Sequence, residues 1–197
     1  GWRSLERAGA DVLPDAARPE ELEALRRSLQ EPSPERLRDL FRALAAGEAP
    51  EALARLTGVD PWFLHQMRRI VEADRQLAER ALRDPEAPWR EGLVREAKRL
   101  GLSDRHLAHR LGLAEPEVRK RRRAHGILPV MKAVDTCGAE FEAVTPYFYS
   151  TYEEEDEVPE SARPRVVILG SGPNRIGQGL EFDYCCCHAA FALRELG

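Results

Sequence analysis

Between Pro14 and Gly126 the sequence repeats one pattern: an apolar stripe at helical spacing, opened by proline or a capping residue and closed by glycine. That pattern constrains the chain to a packed set of short helices. Pro19 is suited to a first helical turn, and Leu22, Leu25 and Leu29 then share a face. Ser33-Pro34 reads as an N-cap and first position for a stripe of Leu37, Leu40, Phe41 and Leu44, with Gly47 as the stop. Pro50 opens a short helix with Leu53 and Leu56, stopped at Gly58. Asp60-Pro61 opens the longest, predicting burial of Phe63, Leu64, Met67, Ile70, Val71 and Leu77 until Asp84-Pro85 and Pro88 interrupt it. Leu93, Val94, Ala97 and Leu100 form the next stripe, ending at Gly101. Ser103 and Gly112 bracket a two-turn helix carrying Leu107 and Leu111, and a last helix runs from about Pro116 to His125, closed by Gly126. Each stripe is one-sided, so the helices must cover one another.

After Gly126 the helical period fades. ILPVMKAVDTCGAEFEAVTPYFYSTYEEEDEVPE is rich in β-branched and aromatic residues and reads as largely extended. The run Tyr147-Phe148-Tyr149, with Tyr152, is expected to lie against a neighbouring surface, and Glu153 to Glu157 to form a solvated boundary. From Arg165 the sequence RVVILGSGPNRIGQGLEFDYCCC changes character again. Val166 to Leu169 suit a strand buried on both faces; Gly170, Gly172, Gly177 and Gly179 suit a tight loop; a helix with small residues begins near Glu181. Strand, loop and helix read as the opening unit of an open α/β domain, of which the chain carries only the start. The expected fold is therefore mainly α: a compact helical domain, an extended segment, and a truncated strand-loop-helix. Residues 1–13 suggest no fold of their own.

Composition excludes more than it selects. With 43% hydrophobic and 32% charged residues among 197, the chain resembles an ordinary soluble domain or two. A net charge of −4 gives no general pull toward nucleic acid or anionic membrane. No apolar run approaches the roughly 20 residues needed to span a bilayer. GWRSLERAGADVLP has neither an apolar signal core nor an initiator Met, as expected of a fragment. Of four cysteines, Cys185 to Cys187 are adjacent and Cys137 stands alone. This is no disulfide framework and no zinc spacing, so they read as small packing residues of a cytoplasmic protein.

Three stretches invite a chemical reading. In the glycine loop, Arg175 stands where a dinucleotide fingerprint needs its third glycine, and Gln178-Gly179 stand where a phosphate loop needs Lys and Ser or Thr. The stretch from Ser103 to Gly126 resembles a helix-turn-helix with a basic face at Arg119 to Arg123, making a DNA-binding module the alternative function. Glu115 and Glu117 flank that face, and a solvated or ion-paired helix surface is the plainer reading. Histidines 65, 106, 109, 125 and 188 show no fixed spacing to a nucleophile or carboxylate. His106 and His109 lie one turn apart without a third ligand, so helix packing is their expected role.

In combination, Val134-Asp135-Thr136-Cys137, Tyr149-Ser150-Thr151-Tyr152 with Glu153 to Glu155, and Gly172 to Gly179 running on through Glu181-Phe182-Asp183-Tyr184 closely resemble the carbamoyl-phosphate synthetase large subunit at the junction of its two homologous halves. Asp60 to Ile70 and Arg95 to Arg110 resemble its helical domain, so the likeness covers nearly the whole chain. It implies that residues 1–6 are the tail of the first ATP-grasp half, 7–157 the oligomerisation domain and 158–197 the opening of the second half. It further implies a parent ligase that makes carbamoyl phosphate from bicarbonate, ammonia released from glutamine by a small glutaminase subunit, and two ATP with Mg²⁺ or Mn²⁺, for arginine and pyrimidine synthesis. The family's ATP, metal and substrate ligands lie in ATP-grasp portions, so neither cofactor nor catalytic residue carries over. Its carbamate tunnel is bordered by a turn that corresponds to Gly177-Gln178-Gly179, which implies Gly179 as tunnel-lining, with Arg175 as a nearby polar lining residue. Partners implied are the remainder of the large subunit and a second copy through the helical domain. The chain alone is expected to be inactive.

Overall fold

Proline and glycine set most helix boundaries where the sequence places them. The computed structural model describes residues 12–141, 147–159, 166–169 and 181–196. A 3-10 turn, Pro19–Glu21, leads into α1 (Leu22–Leu29), followed by α2 (Arg36–Ala45), α3 (Pro50–Thr57), α4 (Pro61–Arg83), α5 (Ala87–Arg90), α6 (Leu93–Arg99), α7 (Asp104–Leu111) and α8 (Glu115–Ala124). Two short strands, β1 (Val130–Ala133) and β2 (Phe148–Thr151), pair antiparallel with Val130 opposite Thr151 and Ala133 opposite Phe148. A further helix, α9, spans Glu181–Glu195. The chain divides into two units, residues 1–158 and 159–197.

Local chemistry explains the punctuation. The Asp60 carboxylate accepts from the Trp62 N–H at 2.8 Å, and the Ser103 hydroxyl accepts from His106 N–H at 3.0 Å, each satisfying a donor that the helix start leaves open. Gly58 closes α3 with φ +70°, its N–H donating to the Ala54 carbonyl at 2.9 Å. An L-residue meets its Cβ against the following carbonyl in that conformation. Gly58→Ala is therefore expected to cost about 1 kcal/mol, read as a lowered midpoint in urea unfolding with unchanged slope.

The helices of the first unit surround two apolar clusters, and α4 belongs to both. Leu64, with Met67 and Val71 partly buried beside it, faces a first cluster with Leu25, Leu29, Leu40, Ala43, Leu44 and Leu53. Leu77, with Ile70 against it, faces a second cluster with Trp89, Val94, Ala97, Leu102, Leu107, Val118 and Ile127. The face of α4 drifts because 3.6 residues per turn do not repeat evenly along 23 residues. One long helix thus holds two small cores in one unit.

Several expectations need correction. Leu37 and Phe63 are 51% and 57% exposed, because each lies in a first helical turn to the side of the buried stripe. The α2 helix begins at Arg36, two positions beyond Pro34, and Ser33 contributes a carbonyl that accepts from Arg36 N–H at 3.2 Å. Between α4 and α6 the prolines do more than interrupt: Ala87-Pro88-Trp89-Arg90 form a single turn, α5, with Ala87, Pro88 and Trp89 buried. Tyr147, Phe148 and Tyr149 are exposed, since among the described residues no layer packs behind the two-stranded ribbon; of this aromatic group, Tyr152 packs against the second cluster. Val166 to Leu169 form no strand among the described residues and are exposed, because no described strand pairs with them. Among the described residues, Cys185 and Cys187 are exposed on α9 and Cys186 is partly so.

Candidate functional site

The groups that stand out are charges buried between helices, and α7 organises both sets. Asp74, on the inner face of α4, accepts from Arg110 through both oxygens, at 3.0 Å from Nε and 2.8 Å from Nη2. The same carboxylate lies 2.6 Å from Nε2 of His106, which is fully buried. The other ring nitrogen, Nδ1, accepts the Leu13 main-chain N–H at 3.2 Å. A main-chain N–H can only donate, so Nδ1 carries no proton and Nε2–H must donate to Asp74. Burial works against ionisation of Asp74, yet the His106 hydrogen bond and the Arg110 charge outweigh it and hold the carboxyl below its ordinary value.

The second set lies on the opposite side of α7, since residues two apart on a helix do not face each other. Asp104, the first residue of α7, accepts from Arg122 Nε at 2.8 Å and pairs with Lys98 Nζ at 3.0 Å. Its place at the helix N-terminus adds favourable interaction with the helix dipole. Lys98 also donates to the Leu102 carbonyl and Arg122 to the Ile127 carbonyl, at 2.8 and 3.1 Å. Burial again opposes ionisation of Asp104, and the hydrogen bonds from Arg122 and Lys98 overcome it, so its carboxyl is also held below the ordinary range. Both cations sit over the Tyr152 ring, 4.9 and 5.7 Å from its centroid, and Arg99 donates to the Tyr152 carbonyl at 3.1 Å.

These groups do one thing in common: they hold the segments that lead into and out of the helices. Leu13 is fixed by His106 and Tyr152 by Lys98, Arg99 and Arg122, both against the second cluster. The incoming segment touches the first cluster as well, where Ala17 is buried and its N–H donates to the Arg42 carbonyl at 3.2 Å. Beyond Tyr152 the acidic run is less free than expected. Glu157 bonds Lys132 at 2.6 Å and accepts from the Ala133 N–H at 2.7 Å, and Glu154 lies 3.5 Å from Arg99.

The expected site residues fare differently. Gly179 and Arg175, with the whole glycine loop, lie outside the described residues. The two helices at Gly112 exist as expected, but their basic face is largely occupied. Arg122 is buried on Asp104, and Arg121 bonds Glu117 and Glu86 at 3.0 and 2.8 Å beside the Trp89 ring. Only Arg119, Lys120 and Arg123 of the run are exposed, which leaves the DNA-binding reading without support. His106 does take a packing role, and its partner Asp74 is the residue that periodicity overlooked. A carboxylate at a position continuing the stripe of Ile70 and Leu77 is the signal that could have found it. Among the described residues no group of three or more His, Cys, Asp or Glu is placed to hold a metal ion. None of the described helices is long and apolar enough to cross a membrane.

Comparison with known proteins completes the picture. Residues 1–126 match the model of the carbamoyl-phosphate synthetase large chain oligomerisation domain, and residues 162–197 that of the carbamoyl phosphate synthase preATP-grasp domain. The chain is 50% identical to a carbamoyl phosphate synthase large chain of Acidobacterium capsulatum over 99% of its own length and 18% of that protein. It is 48% identical to the large chain of a Nostoc species over 99% of its length and 17% of that protein. With the large chain of Thermus thermophilus the identity is 54% over 84% of this chain and 16% of that protein. The chain thus spans less than a fifth of the relatives it matches. By its matched oligomerisation domain and by these identities along nearly its whole length, the chain belongs to the carbamoyl-phosphate synthetase large-chain family.

Proposed function

We propose that the chain is the central link of a carbamoyl-phosphate synthase large chain, joining two synthetase halves and associating with a second copy of itself. In this reading residues 7–157 are the oligomerisation domain, 1–6 the tail of the first ATP-grasp half, and 158–197 the opening of the second. The observation that carries it is the oligomerisation-domain match over residues 1–126, which lies within the 1–158 unit whose buried charges anchor the Leu13 and Tyr152 segments. Leu37, Trp62 and Phe63, each more than half exposed, supply apolar area for association. Arg36 donates to the Thr57 carbonyl at 2.6 Å, so the starts of α2 and α4 lie at one end of the first cluster.

The parent protein would form carbamoyl phosphate from bicarbonate, two ATP and ammonia delivered by a small glutaminase subunit, in the cytoplasm, for arginine and pyrimidine synthesis. ATP and its Mg²⁺ or Mn²⁺ would be held elsewhere in the parent, and the described acids that are buried here are committed to ion pairs. Gly179 would line the passage for the carbamate intermediate, where a small residue keeps the way open, with Arg175 as a polar neighbour. The chain alone is expected to form no carbamoyl phosphate from bicarbonate, ammonium, MgATP and either metal, in an assay in which a complete large chain does. Turnover by the isolated chain would contradict a purely linking role.

A further inference from the structure

The Asp74–His106–Arg110 group holds more chemistry than packing requires. A buried apolar side chain would fill the space of His106 without needing two polar partners. The imidazole instead uses both nitrogens, and their roles are opposite: Nε2–H donates to Asp74 while Nδ1 accepts from Leu13. That arrangement exists only for the neutral ring. A proton taken up at Nδ1 would set an N–H against the Leu13 N–H at 3.2 Å, donor against donor. The main-chain contact must then open.

The charges around the ring decide what replaces it. From α4, Asp74 favours an imidazolium. From α7 itself, Arg110 opposes one, and it already engages both Asp74 oxygens. From the incoming segment, Asp15 reaches Arg110 at 3.5 Å and is almost fully exposed, so it adds little. Asp104, two residues back, has its own cations on the opposite side of α7. Proton uptake therefore leaves the ring held by Asp74 and its link to the segment lost. Position 14 is proline, which has no N–H to take the place of Leu13. The next main-chain hydrogen bond is at Ala17, on the first cluster, with the exposed Asp15–Arg110 contact between them.

We propose that Asp74, His106 and Arg110 form a proton-operated latch, in which neutral His106 docks the incoming segment at Leu13 and protonation of Nδ1 releases it as far as Ala17. The latch sits just before the first helices, so it regulates how firmly the segment from Val12 to Ala16 is held against them. It depends on the geometry of this chain alone and is independent of which reaction a parent protein performs. His106 is a positioning residue here, acting through the main chain.

NMR of the full 197-residue chain tests it. At pH 8 the imidazole ¹⁵N shifts are expected to report the Nε2–H tautomer. On acidification from pH 8 to pH 5, Leu13 amide protection corrected for intrinsic exchange is expected to fall about tenfold. Amides inside α4 and α6 keep theirs. His106→Asn places an amide oxygen near the Nδ1 position and cannot titrate, so Leu13 stays protected at both pH values. His106→Gln reaches toward Asp74 instead, so Leu13 is unprotected at both. An Nδ1–H tautomer at pH 8, or Leu13 protection that does not change in the unsubstituted chain, overturns the proposal whether or not either variant folds.

Discussion

Asp104→Ala is expected to destabilise the helical unit by about 3–5 kcal/mol, the range for removing one partner from a buried ion pair. The reason is what remains. Lys98 and Arg122 are 8% exposed each, and without Asp104 two cations would face each other across the start of α7 with no counter-charge. Against a typical domain stability of about 5–15 kcal/mol, that loss leaves a marginal fold. The damage should concentrate on α6 to α8 and on the Tyr152 segment, since both cations also support its ring. Replacing Lys98, Asp104 and Arg122 together by Met, Leu and Met should recover most of the loss, because no buried charge is left uncompensated. Urea unfolding of the single and triple variants checks both statements. Acid provides a second reading. The folded pKa of Asp104 lies below its ordinary 3.8, so its contribution is complete above that pH and disappears as the pH falls through the folded value.

Asp74→Ala is the second large effect, expected at about 3 kcal/mol. It removes the acceptor for the His106 Nε2–H and for both Arg110 nitrogens in one step. Arg110 is about one-fifth exposed and can turn toward water, which places this loss at the lower end of the range. His106 cannot, and an unsatisfied buried donor alone costs about 1–3 kcal/mol. A second consequence separates this variant from Asp104→Ala. With its orienting partner gone, the ring no longer aims Nδ1 at Leu13, so exchange at Leu13 should rise even under conditions where α7 remains folded. Thermal unfolding combined with residue-resolved amide exchange distinguishes the two variants.

Those two carboxylates also mark the limit of what the sequence displayed. Helix limits were legible wherever backbone chemistry sets them. Pro50 and Gly58 bracket α3, Asp60-Pro61 opens α4, and Ser103 and Gly112 bracket α7, because caps and left-handed turns act within a few residues of chain. The stripes likewise identified Leu29, Leu44, Leu64, Leu77 and Leu107 as core. What stayed hidden is non-local. Asp74 meets His106 across 32 positions and Arg110 across 36, and no spacing rule connects helices whose packing is still unknown. The same holds for Arg122, whose basic neighbours resemble a nucleic-acid face in sequence while Asp104, 18 positions away, pairs with it in the fold. Phe63 differs for the opposite reason: it is apolar, yet it lies to the side of the stripe by which its neighbour Leu64 enters the first cluster. The glycine stretch 170–180 was legible chiefly as a family resemblance, and Gly179 and Arg175 keep the status that resemblance implies.

Sedimentation equilibrium of the 197-residue chain over a range of concentrations tests the central claim, that the helical unit is a link which associates with its own kind. The weight-average mass is expected to rise with concentration from the monomer value of 22.2 kDa toward twice that across the micromolar range. A mass that stays at the monomer value into the high micromolar range would contradict it.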